Sequence, residues 1–306
     1  MTKARIQSLF AVICAVSLFA GSVWYFVEKF QWRAALDHLQ GTELIRLFVL
    51  VVLIQLAYLG VRAWRWWIVV RQSNPAVGFI ELYWITAVTV SLSILTPGQL
   101  GETLKIELLK RRGMLDYLQG LGTFMPERIL DLMIVAGIGL IGLFFMGYGT
   151  VYPHLNMLVI FLLAMGGLAF FLLLRMKNKT GWLARIRSAS GRPRNWIAMG
   201  VLTFFSWGLV ALGWQVCLRA IGIPVSFFGT LWLVSLVTLG TILSCIPGGF
   251  GVADIIAIEW LAGMGESLVA SQAAALILRF YSLVVILVGL LHLPGLALRK
   301  SVKVST

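Results

Sequence analysis

Long apolar runs, separated by short polar loops, dominate the sequence. A helix needs about 20 apolar residues to cross the hydrocarbon core of a bilayer. Six runs approach or exceed that length, and they cover 9–27, 47–70, 129–148, 155–174, 196–218 and 273–293. The first run has a basic flank and no small-residue cleavage site, so we expect it to remain as the first span. The pattern predicts an all-α polytopic membrane protein with six transmembrane helices.

Two further apolar stretches, 79–112 and 225–263, are each interrupted by a Pro-Gly pair. Backbone that leaves a helix at membrane depth is tolerated only where it faces protein or a water-filled cavity. The helix after the first pair is also too charged to face lipid. We therefore predict that both stretches are re-entrant helical hairpins, and such paired breaks indicate a binding site in transporter-like folds.

The distribution of basic residues along the chain favours one membrane topology. The chain carries 25 Lys and Arg against 12 Asp and Glu. The basic groups at 3–5, 62–71, 105–112, 175–194 and 299–303 fall on one side of the predicted spans, which the positive-inside rule makes the cytoplasm. Within the second group, Arg62 and Arg65 are expected to reach lipid headgroups beside an interfacial belt of tryptophans.

The number and order of the predicted spans also predict an inverted repeat within one membrane domain, residues 1–306. Three spans lie between the hairpins, so the hairpins enter from opposite faces, and both termini are cytoplasmic. Repeat one covers about 44–148, a linker span 149–195 and repeat two about 196–298. Arg128 follows Pro97 by 31 positions and Arg279 follows Pro247 by 32, which agrees with a repeat. We expect the protein in the cytoplasmic membrane.

Two sets of residues are candidates for binding chemistry. Glycine-rich helix starts present backbone N–H groups to phosphate or another anion, and the candidates are Gly98, Gly101, Gly248, Gly249 and Gly251. Ionised groups cost about 2.5 kcal/mol or more inside a span, so those present indicate function: Glu102, Lys105, Glu127, Arg128, Asp131, Asp254, Glu259 and Arg279. The alternatives are that the glycines only let the hairpins turn and pack, and that the charges form a structural ion-pair network.

Other chemistries have no motif here. The sequence lacks nucleophile-elbow, P-loop and dinucleotide patterns, and its three histidines and three cysteines stand apart in sequence. We therefore predict no enzymatic activity, no cofactor and no metal. The basic residues lie in loops between spans, so they indicate topology rather than nucleic-acid binding.

Five segments together resemble a known family: PGQLGE at 97–102, LLKRRG at 108–113, ERILD at 127–131, PGGFG at 247–251 and the later Arg279. They are similar to the flippase-like transmembrane family typified by the membrane domain of lysylphosphatidylglycerol synthase, over almost the whole chain. Asp254 stands where that family usually has Glu. The resemblance implies movement of a lipid or lipid-linked group across the bilayer, and it does not extend to lipid lysinylation.

The expected function is translocation of an anionic lipid or lipid-linked intermediate whose phosphate meets the breaks, with Arg128 and Arg279 as counter-charges. The carboxylates would order these arginines or carry a coupling proton. Two alternatives remain: a non-transporting scaffold that docks an envelope-biosynthesis enzyme through loop 175–194, and a proton- or ion-coupled carrier of a small solute. An apolar lateral opening would favour a lipid, and a closed aqueous cavity would favour a solute. Headgroup, energy coupling and oligomeric state have no signature in the sequence.

Overall fold

A computed structural model describes residues 24–145 and 192–298, with separate positions at 17, 20, 21, 157, 160, 161, 163–168, 171, 172 and 189. Most of the predicted span 9–27, nearly half of the span 155–174 and most of the basic loop 175–194 lie outside the described residues. Helices and turns make up the described part of the chain, which contains no strand. The all-α prediction is confirmed.

Ten helices are bounded in this part of the chain: α1 Trp32–His38, α2 Leu44–Ser73, α3 Phe79–Ile94, α4 Leu104–Arg111, α5 Tyr117–Phe145, α6 Pro193–Ala220, α7 Phe227–Ser244, α8 Val252–Gly263, α9 Leu268–Leu291 and α10 Leu293–Leu298. Within the described residues, four segments are long and apolar enough to cross a membrane: Leu44–Ser73, Asn195–Ala220, Phe227–Ser244 and Leu268–Ala297. The last continues from α9 into α10, and α7, expected as one arm of a re-entrant hairpin, is itself long enough to cross.

Helix α5 begins well before the apolar run that predicted it. The run starts at residue 129, whereas the helix starts at Tyr117 and continues through Pro126 and the charged ERILD segment. An assignment based on hydropathy places the end of a span where charged residues begin. Here those charges are paired inside the protein, so the helix continues through them.

Both predicted breaks are present. In the first, Pro97–Thr103 forms a 3-10 segment in which Gly98 and Gln99 adopt positive φ angles of 54° and 60°. In the second, Gly248 has a φ of 64° and Gly251 a φ of 80°, a region that favours glycine. The chain therefore leaves the helical path at each Pro-Gly pair.

Small residues let the helices and breaks approach closely. A Cβ on Gly101 would lie 2.9 Å from backbone atoms of Leu92, so the first break folds directly onto α3. Where α9 crosses α3, a Cβ on Gly289 would lie 2.0 Å from Ser91 Oγ. That hydroxyl donates to Val285 O at 2.8 Å. Such close crossings are how helices associate where lipid removes the hydrophobic drive.

The α3–α9 crossing gives a stability prediction. Gly289→Ala should destabilise the protein by about 1–3 kcal/mol, because the added methyl group overlaps Ser91 in a packed interface. Gly137→Ala in α5 is the matched control, since its new Cβ would meet nothing within 4 Å. Thermal unfolding in detergent should show a lower Tm for the first variant alone. Equal Tm values would contradict the close crossing.

Candidate substrate site

Seven ionisable side chains from three helices and the first break meet in one buried network: Arg62 and Arg65 of α2, Glu102 of the break, Lys105 of α4, and Glu127, Arg128 and Asp131 of α5. Six of them are buried, and the Arg128 side chain is 28% exposed. A buried charge is tolerated when it is paired and hydrogen-bonded. The network supplies those partners.

Arg65 lies at the centre of the network and is fully buried. Its Nη1 and Nη2 donate to the two carboxylate oxygens of Asp131 at 2.7 and 3.2 Å, and its Nε donates to Glu127 at 3.1 Å. Nη1 also donates to Thr203 Oγ1 of α6 at 2.7 Å. A single guanidinium therefore ties α2 to α5 and α6, with the bidentate geometry that Arg offers and Lys does not.

Glu102 brings the first break into the network. Its Oε2 accepts from Arg62 at 2.9 Å and from Arg128 at 2.8 Å, and Lys105 Nζ lies 3.4 Å away. Lys105 also donates to Glu127 Oε2 at 3.2 Å. In the helix after the first Pro-Gly pair, Lys105 therefore lies inside the network, whereas Lys110 and Arg111 are exposed.

The expectation that Arg62 and Arg65 reach lipid headgroups is wrong. Both are buried and paired with carboxylates, Arg62 with Glu102 of the first break and Arg65 with Asp131 of α5. Trp66 is buried as well and its indole N–H donates to Thr123, whereas Trp64 is exposed. Only the exposed tryptophan of this pair fits an interfacial belt.

The second break has its own ion pair. Arg279 of α9 donates through Nε to Asp254 at 2.7 Å, and through Nη1 and Nη2 to the carbonyls of Gly248 and Gly249 at 2.9 and 3.2 Å. The guanidinium also lies 4.6 Å from the ring centre of Phe250. Arg279 thus holds the turn at the Pro-Gly pair in place.

Three of the five break glycines do not present the free N–H groups that we expected. Their N–H groups donate to acceptors within the protein: Gly101 to Thr96 Oγ1, Gly249 to Ile246 O and Gly251 to Asp254 Oδ2. The Asp254 carboxylate itself lies at the start of α8, where an external anion was expected. Hydrogen bonds within each turn have already satisfied these donors.

The two breaks meet around one cavity of about 180 Å³. Arg62 and Glu102 line it on the side of the first break, and Arg279 with the second break lines the other. The space is ample for several waters or a compact polar group. The structure therefore brings Gly98, Glu102 and Arg279 to one cavity. Arg128, Glu127 and Asp131 do not line it but belong to the ion-pair network that holds Arg62 and Glu102.

Sequence reasoning missed the polar wall that α2 gives this cavity. Gln55 and Tyr58 line it together with Arg62, and Tyr58 OH accepts from Arg62 Nη1 at 2.8 Å. Their positions, with Arg65, are spaced three, four and three residues apart, so they share one helix face. That periodicity inside the apolar run 47–70 was the available signal.

The remaining candidate, Glu259, is exposed and stays outside the site. Of the histidines, which were not candidates, His38 contacts the backbone of Ile221 and His292 contacts Tyr83. Among the described residues, no three His, Cys, Asp or Glu side chains group as metal ligands.

These features define a class of protein: a multi-helix membrane protein in which two Pro-Gly breaks close around a charged cavity. The chain belongs to the family of the lysylphosphatidylglycerol synthase transmembrane region, whose sequence model matches residues 11–289. The family resemblance of its five segments is thereby confirmed. Comparison with curated proteins gives no match.

The network gives a second stability prediction. Arg65→Ala should destabilise the protein by about 3–5 kcal/mol, because it leaves Glu127 and Asp131 buried without their central partner. Arg111→Ala is the control: it breaks an exposed pair with Glu107, and such pairs contribute about 0–1 kcal/mol. Thermal unfolding in detergent measures both. A small effect for Arg65→Ala would mean that the buried pairs do not hold the helices together.

Proposed function

We propose that this protein translocates an anionic lipid or a lipid-linked intermediate across the membrane, with the phosphate bound between the two breaks. One observation carries the proposal: both breaks line a single cavity, and each side of it provides an arginine, Arg62 or Arg279. Phosphate is a ligand that the arginine fork suits. Broken helices around a shared site are the arrangement expected of a transporter.

An apolar groove beside the second break favours a lipid over a soluble solute. This groove, of about 570 Å³, is lined by Phe26, Phe250 and Leu276 among others, and Arg279 borders both the groove and the cavity. A lipid could place its headgroup in the polar cavity and an acyl chain in the groove. A small polar solute would not fill this apolar space.

The proposal includes six spans, two re-entrant hairpins and an inverted repeat. Corresponding pairs at the two breaks support the repeat: Glu102 with Arg128 at 2.8 Å, and Asp254 with Arg279 at 2.7 Å. In each pair the carboxylate follows its Pro-Gly pair closely, and the arginine comes from a later helix. If the hairpins enter from opposite faces, each break can open the shared cavity to one side.

A conservative substitution tests the site. Arg279→Lys should leave the protein folded but slow translocation about tenfold, because Lys keeps the charge and loses the planar fork. The assay follows fluorescent phosphatidylglycerol in proteoliposomes as it becomes protected from a membrane-impermeant quencher. Arg111→Lys, on the exposed face of α4, is the matched control and should keep the wild-type rate. A wild-type rate for Arg279→Lys would remove Arg279 from the site.

Cysteine labelling tests the inverted repeat. In a variant with Cys14, Cys217 and Cys245 replaced by Ser, we introduce Met264→Cys after α8 or Arg111→Cys at the end of α4; both positions are exposed. An impermeant maleimide should label position 264 on intact cells, and position 111 only after permeabilisation. Labelling of both from the same side would overturn the opposed hairpins.

A further inference from the structure

Gln99 has an unusual backbone conformation in the wall of the cavity. Its φ is 60°, and among the described residues only Cys245 shares a positive φ without being glycine. A side chain in this region is strained, because its Cβ crowds the following carbonyl oxygen. Such strain persists only where the surrounding structure holds it, and it is found most often at sites that bind or act on ligands. Gln99 lines the cavity, whereas Cys245 does not.

The second break shows that the turn itself does not require glutamine. Gly249 follows Pro247 by two positions, as Gln99 follows Pro97, and its φ of 59° is nearly the same. Glycine adopts this conformation without strain. A Cβ on Gly249 would lie 2.2 Å from Thr241 Cγ2, so the second break has no room for a side chain at this position. The first break therefore carries a polar side chain where glycine would be less strained.

The carboxamide of Gln99 is available to a ligand. It has no hydrogen-bond partner among the described residues, and Gln99 is only half-buried. The neighbouring hydroxyls are already used, because Ser93 donates to Val90 O at 2.5 Å and Thr96 donates to Ser93 O at 3.0 Å. Gln55 lines the same cavity but differs, since its Nε2 is fully buried. Gln99 thus offers the cavity both an amide donor and a carbonyl acceptor.

We propose that Gln99 is a specificity-determining residue of the transport proposed above, and that its carboxamide hydrogen-bonds a hydroxyl group in the uncharged part of the headgroup. This inference rests on the proposed function, in which the arginines meet the phosphate. A hydroxyl both donates and accepts, as the carboxamide does, so the two can pair in either direction. A headgroup without a hydroxyl leaves the carboxamide unpaired in the occupied cavity, which is unfavourable. The contact therefore discriminates between lipids of equal charge.

Two lipids of equal charge test the contact. Phosphatidylglycerol carries headgroup hydroxyls, and phosphatidylethanol carries none. Wild-type protein in proteoliposomes should translocate fluorescent phosphatidylglycerol about tenfold faster than fluorescent phosphatidylethanol, as expected for one hydrogen bond to a group otherwise left unpaired. Gln99→Leu keeps a side chain of similar size and the strained backbone but removes the carboxamide. It should reduce the ratio to about one by slowing phosphatidylglycerol alone, and a wild-type ratio in this variant would overturn the contact.

Glycine variants separate the contact from the strain. Gln99→Gly and Cys245→Gly each relieve a positive φ, so neither should lower the Tm in detergent. Gln99→Gly should nevertheless lose the preference for phosphatidylglycerol. Cys245→Gly is the matched control and should keep it, because the Cys245 thiol donates to Ile242 O outside the cavity. If both variants lose the preference, or if both keep it, the carboxamide does not set specificity and the proposal fails.

The wild-type rates distinguish this inference from the proposed function. If both lipids cross at the same rate, faster than in protein-free liposomes, translocation stands and the role of Gln99 is wrong. If neither lipid crosses faster than in protein-free liposomes, both proposals fail. A preference for phosphatidylglycerol that disappears in Gln99→Leu and in Gln99→Gly, and persists in Cys245→Gly, supports both.

Discussion

The structure depends on the pairing of charges that are buried between apolar helices. Arg65 has no access to water, and its bonds to Glu127, Asp131 and Thr203 join α2 to α5 and α6. Removing one partner of such a pair leaves the other uncompensated, which is strongly destabilising. Ion pairs of Arg62 and Arg128 in the same network fix Glu102, and with it the first Pro-Gly break, against the cavity. Stability and the shape of the site therefore have a common origin.

Much of the architecture follows from hydropathy and from two prolines. Apolar runs predicted α2, α6 and α9 to within a few residues, and the Pro-Gly pairs predicted both breaks. The start of α5 and the burial of Arg62 and Arg65 were not predicted. An arginine beside tryptophans at the end of an apolar run has the same local sequence whether it faces headgroups or a carboxylate on another helix. Only the tertiary structure decides between these two, although the helical spacing from Gln55 to Arg65 pointed inward.

The glycines of the two breaks show a related limit of prediction from sequence. Their positions in the sequence correctly indicated unusual backbone, but the expected chemistry came from local reasoning about helix starts. In the folded chain, Gly101 is small because α3 lies against it, and the Gly251 N–H is bound by Asp254. The cavity is lined as well by polar side chains on α2 and α6, such as Gln55, Arg62 and Trp207, which are far from the breaks in sequence. A pattern within one segment cannot reveal side chains that other helices bring to the cavity.

The ion pairs at the cavity need not break for a phosphate to bind. A guanidinium has five N–H groups. Arg279 uses four of them, two toward Asp254 and one each toward the carbonyls of Gly248 and Gly249, so one remains. Arg62 uses three, toward Tyr58, Glu102 and Asp131, and its Nε is unpartnered. The paired N–H groups hold each fork rigidly, which under the proposed function would lower the entropy lost on binding, and a remaining N–H of Arg279 would be left for the phosphate. Under the proposed function, the carboxylates thus act as positioning groups for the arginines rather than as competitors of the substrate.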